Sequence, residues 1–147
     1  MRLNTKTRYA TRALLELAVH EHEGARSLQQ IAASQGLSFK YLETLFSSLR
    51  SAGLVQSLRG PQGGYLLARP SDLISLRDVY EVFEGHESLV ACVSRPDLCV
   101  RASDCVAREV WCDLTQQTMR SLEGVTLARL AERVWERAQA RAPDYAI

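Results

Sequence analysis

The sequence predicts a mainly α-helical fold with a small β-wing: a winged helix-turn-helix followed by a long dimerisation helix. Three observations predict it. Two helical patterns meet at the tight turn Gly36-Leu37-Ser38. Two short apolar strands flank the glycine-rich stretch 60–64 directly after the second helix. Residues 104–123 carry more apolar side chains than a lone helix beside a small domain can hide. The expected division is a winged helix-turn-helix over 1–84, a cysteine-containing loop over 85–103, and a dimerisation helix with a C-terminal helix over 104–142.

Tyr9, Ala10, Ala13, Leu14, Leu17 and Ala18 form one apolar stripe at helical spacing, and Gly24 closes the turn after that helix. Ser27-Leu28-Gln29-Gln30 has the pattern of a capping box, in which the Ser27 hydroxyl accepts from the Gln30 amide and the Gln30 side chain reaches back. The short helix it opens turns Leu28, Ile31 and Ala32 inward and stops at Gly36, which can take the left-handed conformation. Leu37 can plug the space between the helices, and Ser38 caps the next one. That helix buries Tyr41 or Leu42, then Leu45, Phe46 and Leu49, and ends at Gly53.

Leu54–Leu58 and Tyr65–Ala68 are the strands of a hairpin with a flexible loop at Gly60-Pro61-Gln62-Gly63-Gly64. Ser75-Leu76-Arg77-Asp78 is a second capping box, opening a helix with Leu76, Val79, Val82 and Phe83 that ends near Gly85. Residues 86–103 show no period and are expected to be loop. Ser103 is expected to cap the long helix from Asp104 to about Glu123, with Val106, Val110, Trp111, Leu114, Thr118 and Leu122 on its apolar side. Gly124 breaks it, and Thr126 caps a last helix with Leu127, Leu130, Ala131, Val134, Trp135 and Ala138. The tail after Pro143 is expected to fray.

Composition bounds the function. The chain has 147 residues, 46% hydrophobic and 24% charged, as in an ordinary soluble globular protein. No apolar run approaches a membrane span, and the N-terminus lacks a signal-peptide core, so a cytoplasmic protein without membrane contact is expected. No nucleophile–base pair, phosphate loop or cofactor fingerprint suggests an enzyme, and His20, His22 and His86 do not cluster with an acid in a catalytic order. The net charge of +1 hides an asymmetry: residues 1–69 carry +5 and the remainder −4. The first half is suited to a polyanion.

In a helix-turn-helix the second helix enters the major groove of double-stranded DNA by its N-terminal end. Here that end offers Ser38, Lys40 and Tyr41 to phosphates or base edges, and Glu43 to the cytosine amino group. Arg59, Gly60 and Pro61 at the wing tip suit the adjacent minor groove, whose concentrated negative potential favours an inserted arginine. Arg2, Lys6 and Arg50 are expected on phosphates, where contacts position without specifying. A homodimer packed through the long helix would read a palindromic operator with half-sites about one helical turn apart.

All four cysteines lie between positions 92 and 112. Cys92, Cys99 and Cys105 place three thiols in fourteen residues of polar chain running into a helix. Such spacing allows an iron–sulfur cluster, a zinc ion or a thiol redox switch; it lacks the paired C-x2-C of zinc ribbons.

With Met1-Arg2-Leu3, Lys6-x-Arg8-Tyr9-Ala10, Tyr41-Leu42-Glu43-x-Leu45-Phe46, Arg59-Gly60-Pro61-x-Gly63-Gly64-Tyr65-Leu66-Leu67 and Leu127-Ala128-Arg129-Leu130, the cysteine trio resembles the iron–sulfur cluster regulator family of bacterial winged-helix repressors, the IscR and NsrR type. The resemblance covers nearly the whole chain. It implies a homodimeric transcriptional regulator in which Cys92, Cys99 and Cys105 hold a cluster, 2Fe–2S or alternatively 4Fe–4S. The state of that cluster, responding to iron, oxidant or nitric oxide, would set DNA affinity. The family's fourth ligand is missing here. Where the IscR type has a histidine stands Arg108, and where the NsrR type has an acid stands Arg8; an arginine has no lone pair to give. Glu109, Cys112, His86 or a small molecule remain, although Cys112 lies roughly 10 Å along the helix from Cys105.

Overall fold

A computed structural model describes residues 3–86 and 88–141. Arg2 and the tail after Pro143 lie outside the described residues. Seven helices and one hairpin follow in order: α1 (Thr5–Val19), α2 (Leu28–Gln35), α3 (Phe39–Ser51), β1 (Val55–Leu58), β2 (Gly64–Leu67), α4 (Leu76–Glu84), α5 (Ala91–Ser94), α6 (Val106–Glu123) and α7 (Leu127–Arg141), with 3-10 turns at Ser71–Leu73 and Pro96–Leu98. The winged helix-turn-helix is thus present, with strand limits one residue from the expected ones.

The core forms around α1. Its stripe of Ala10, Ala13, Leu14, Leu17 and Ala18 is buried, and alanines there let neighbouring helices approach closely. Against it lie Leu28 and Ile31 of α2, Leu42, Leu45, Phe46 and Leu49 of α3, then Leu54, Val55, Ile74, Val79, Leu127 and Ala131. Leu42 takes the buried position and Tyr41 is half-buried, which decides between the two. Truncating one of these leucines to alanine would cost about 2–5 kcal/mol, a large share of a small domain's stability.

Local rules place each helix end. Ser27 and Gln30 form the reciprocal capping box. Gly36 takes a φ of 64° and ends α2, and the Ser38 hydroxyl accepts from the Tyr41 amide at 3.2 Å to start α3. Ser75 and Asp78 form the second box. The backbone of α4's start is pinned to that of α7 by Leu76 N–H to Val125 O (2.8 Å) and Leu127 N–H to Ile74 O (2.9 Å). In this way α7 returns to the core, with Leu127 and Ala131 buried on it.

Two expectations change. Residues 86–103 are not simple loop: α5 and the Pro96 turn occupy 91–94 and 96–98. Turns this short leave no periodicity to read. The long helix begins at Val106 rather than Asp104, because Ala102 N–H to Cys99 O and Asp104 N–H to Arg101 O commit that stretch to tight turns. Cys105, not Ser103, occupies the N-cap position, and no side chain caps there.

Helix α6 packs on α4, where Arg77 donates to Glu81 (2.8 Å) and to Glu123 near the end of α6 (3.1 Å). No residue of α6 is buried. Val106 is 73% exposed, Val110 50%, Leu114 41% and Trp111 39%.

Burial pushes the Asp78 carboxyl up, but the Ser75 N–H and hydroxyl and the nearby Arg69 guanidinium outweigh it and hold the group below the ordinary aspartate range. A carboxyl depressed on folding stabilises the protein above its unfolded pKa, and that gain is lost as pH falls through the folded value. Asp78→Asn is therefore expected to cost about 1 kcal/mol at pH 7 in urea unfolding. The gap to the parent should close as pH drops below about 3.9. A gap that persists unchanged in acid would contradict the charged cap.

Candidate nucleic-acid interface and cysteine segment

Burial of Leu42, Leu45, Phe46 and Leu49 turns the opposite face of α3 outward, leaving Lys40, Glu43, Thr44, Ser47 and Arg50 exposed. Glu43, Ser47 and Arg50 fall at i, i+4 and i+7, one stripe along the helix. Ser38 stands exposed at its start with its oxygen engaged by the cap; the hydroxyl hydrogen is still free to donate. Tyr41 sits edge-on to Tyr9 of α1, ring centroids 5.9 Å apart.

That aromatic pair brings the first turns of α1 beside the N-terminus of α3. Lys6 is exposed there. The Arg8 and Arg12 guanidinium groups lie 6.0 and 5.6 Å from the Tyr9 ring. Arg12 also donates from Nε to Gln35 Oε1 (3.2 Å) and from Nη2 to the Gln35 carbonyl, tying α1 to the end of α2. Arg8 and Arg12 are the residues sequence reasoning missed as members of this face. Their i, i+4 spacing astride Tyr9 was the available signal.

The wing is docked by its own backbone. Arg26 and Tyr65 exchange both main-chain hydrogen bonds, at 3.0 and 2.8 Å, so residue 26 acts as a third strand beside β2. Phe46 and Tyr65 rings meet at 4.7 Å, fastening the same strand to α3. Glu16 of α1 ties the wing's anchor to the end of α2: one oxygen receives Arg26 at 2.8 Å, the other receives the Gln35 amide at 3.1 Å. Beyond this anchor Arg59, Gly60 and Pro61 stand exposed, with Gly60 at a φ of 117° and its carbonyl receiving Gly63 N–H at 2.9 Å. The two following glycines serve the protein's own packing. A Cβ on Gly63 would lie 2.3 Å from the Leu58 carbonyl oxygen, and one on Gly64 2.4 Å from that of Arg26.

The cysteines follow α4. Cys92 lies in α5, Cys99 directly after the Pro96 turn, Cys105 at the N-cap of α6 and Cys112 two turns into that helix. All four thiols are free; Cys99 is exposed and the others are half-buried. Arg108 donates from Nε to the Cys92 carbonyl at 2.8 Å, tying α5 to α6. Three thiols on one short segment are a chemically suitable donor set for a soft metal centre. Yet among the described residues no three His, Cys, Asp or Glu side chains are gathered as a metal needs. Neither Glu109, Cys112 nor His86 is brought into such a group with the trio; His86 is exposed, 3.9 Å from Glu81 Oε1.

A family model described as Rrf2, iron-dependent transcriptional regulator, matches residues 3–133, most of the chain. The chain belongs to the Rrf2 family. The transcriptional regulator IscR of Erwinia tasmaniensis is 41% identical over 130 residues, which are 88% of this chain and 78% of the relative. Among solved structures, CymR, the global cysteine regulator of B. subtilis, superposes with a TM-score of 0.77 at 38% identity, covering 90% of this chain and 98% of CymR. T. potens IscR superposes with a TM-score of 0.75 at 35% identity, covering 98% and 93%.

Rrf2 relatives of this kind are transcriptional regulators, not enzymes, and the winged helix-turn-helix agrees with DNA binding. This Rrf2-family chain is accordingly a DNA-binding transcriptional regulator. Among its described residues no helix is long and apolar enough to cross a membrane.

Gly64 has a φ of +152° as well as the backbone contact with Arg26. Gly64→Ala should destabilise the chain by about 2–4 kcal/mol through the clash and the strained φ. Denaturant unfolding checks the loss, and hydrogen exchange should show it greatest at 26, 58 and 63–67. An unperturbed midpoint would contradict this docking of the wing.

Proposed function

We propose that this chain is a homodimeric repressor whose DNA affinity is set by an iron–sulfur cluster held by Cys92, Cys99 and Cys105. The observation that carries the reading is the placement of three free thiols on one segment between the reading head and α6. The family description and the IscR relatives support it. A 2Fe–2S cluster is favoured over 4Fe–4S. When bound, the cluster supplies a group sensitive to oxidant, nitric oxide and iron supply. The fourth ligand is Glu109, Cys112, His86 or an exogenous molecule.

The chain's own residues do the reading. The N-terminal end of α3 enters the major groove, with Ser38, Lys40 and Tyr41 on phosphates or base edges and Glu43 accepting from a cytosine amino group. Glu43 costs affinity and contributes discrimination. Arg59, with Gly60 and Pro61, lies in the minor groove. Lys6 and Arg50, with Arg2, contact phosphates. The exposed side chains of Val110, Trp111 and Leu114 are covered by the partner's α6, which spaces two reading helices over a palindrome.

A thiol-based switch or a zinc site on the same fold is the second reading. The exposure of Cys99 favours the thiol switch, and the same thiol donors suit zinc.

Two outcomes are expected. Protein purified without oxygen should be coloured and contain iron and sulfide, and Cys92→Ala, Cys99→Ala or Cys105→Ala should each remove the visible absorbance. Colour undiminished in all three sinks the cluster, and colourless protein rich in zinc, or lacking metal, selects the second reading. Arg59→Ala should weaken operator binding about tenfold, or about 1.4 kcal/mol, at matched salt with folding intact. Unchanged affinity removes the wing contact.

A further inference from the structure

Among the described residues, three helices begin with the same arrangement of bonds, and two of these are self-contained. In α2 the acceptor that reaches back to the N-cap amide is Gln30, and in α4 it is Asp78, each three residues into its own helix. In α1 the N-cap is Asn4, whose side-chain oxygen accepts from the Thr7 amide at 2.8 Å. The residue at the reaching-back position is Thr7, too short to return to the Asn4 amide, and the first turn of α1 contains no acid. The missing carboxylate comes from Glu84, the last residue of α4. Its Oε1 accepts from the Asn4 backbone N–H at 2.8 Å and from the Thr7 hydroxyl at 2.6 Å. The Asn4 side-chain amide donates to the Phe83 carbonyl at 3.2 Å, so the joint is held from both sides. Thr7 is 4% exposed, which shelters its bond to the carboxylate from water.

The position of this split cap matters. Glu84 is followed by Gly85, at a φ of 72°, where the chain turns away from α4 toward the cysteines. On the other side of the joint, the same first turns of α1 carry Lys6 and Arg8, and Tyr9 braces Tyr41 at the start of α3. A carboxylate at a helix N-terminus is stabilising, so the bonds favour one placement of α1's start relative to α4's end. Anything that pulls the chain after residue 84 acts on that placement directly.

We propose that Glu84 is a positioning residue of the DNA interface: by completing the N-cap of α1 from the root of the cysteine segment, it makes the stance of Lys6 and Arg8 depend on the state of that segment. This rests on the cysteine-sensing and DNA-contact readings above. Glu84 touches neither the thiols' chemistry nor DNA; it acts through α1.

The test uses the full chain and a DNA site obtained by selection from random sequence. Affinity is compared between protein purified without oxygen and its Cys92→Ser/Cys99→Ser/Cys105→Ser variant, at one salt concentration. The parent ratio is expected in the range of about 5- to 150-fold. Glu84→Ala should bring the ratio to within about twofold while visible absorbance persists, and Glu84→Gln, which keeps an acceptor, should restore part of it. Hydrogen exchange at Thr5–Tyr9 should differ between the two cysteine states in the parent and not in Glu84→Ala. If Glu84→Ala fails to fold, Thr7→Val, which removes one of the two bonds, should narrow the ratio instead. A parent ratio that survives in the variant, with unchanged exchange behaviour, overturns the role of Glu84 alone. A parent ratio of one overturns the cysteine-sensing reading and this proposal with it.

Discussion

The buried stripe of α1 is the constraint on which the rest of the molecule depends. Ala10, Ala13, Leu14, Leu17 and Ala18 receive α2 and α3 on one side and α4, α7 and β2 on others. Burial of apolar surface is non-directional, so it draws these elements together without choosing their angles. The angles are chosen by polar bonds around the rim of the stripe: Glu16 to Arg26 and Gln35, Arg12 to Gln35, and Glu84 to Asn4 and Thr7. One helix therefore serves as the core of the domain and as the frame that holds α3 and the wing, the proposed DNA-reading parts.

This frame explains the charge asymmetry of the chain. The first half places basic groups on the outward faces of α1, α3 and the wing, while two of the half's four acids turn to structural work. Glu16 and Glu21 are spent on internal bonds, the latter accepting from the Ser71 amide and hydroxyl at 3.0 and 2.6 Å. Glu23 and Glu43 remain exposed, and on the proposed reading face Glu43 would repel phosphate and serve to choose between bases. The second half, net negative, holds α4, the cysteines and α6, and its polar links to the first half include those from Glu84 to Asn4 and Thr7 and from Ser71 to Glu21.

What was legible in the sequence was what is decided locally. Gly36, Ser27 with Gln30, Ser38, and Ser75 with Asp78 announce helix ends because cap geometry needs those residue types within three or four positions. The hairpin was legible for the same reason, though Gly63 and Gly64 serve the backbone of Leu58 and Arg26 rather than approach to DNA alone. The start of α6 was misplaced because consecutive tight turns carry no period. The joints formed by Glu84 with Asn4 and by Arg12 with Gln35 join residues 80 and 23 positions apart and leave no trace in any local window. The cysteine trio was legible as chemistry and not as geometry: three thiols suit a soft metal centre or thiol redox chemistry, whereas their placement on α5, after the Pro96 turn and at the cap of α6 depends on turns too short to leave a pattern.

The exposed apolar side of α6 is what ties the single chain to the proposed dimer. Among the described residues Val110, Trp111 and Leu114 have no cover adequate to bury them, and a symmetric partner would supply it while fixing the distance between two α3 helices. Selection of binding sites from a random DNA pool by the full-length protein tests this most directly. A palindrome is expected, its half-site centres about 10 base pairs apart or a multiple of that spacing. Enrichment of a lone asymmetric half-site, or of no sequence at all, would contradict a dimer that reads DNA through paired α3 helices.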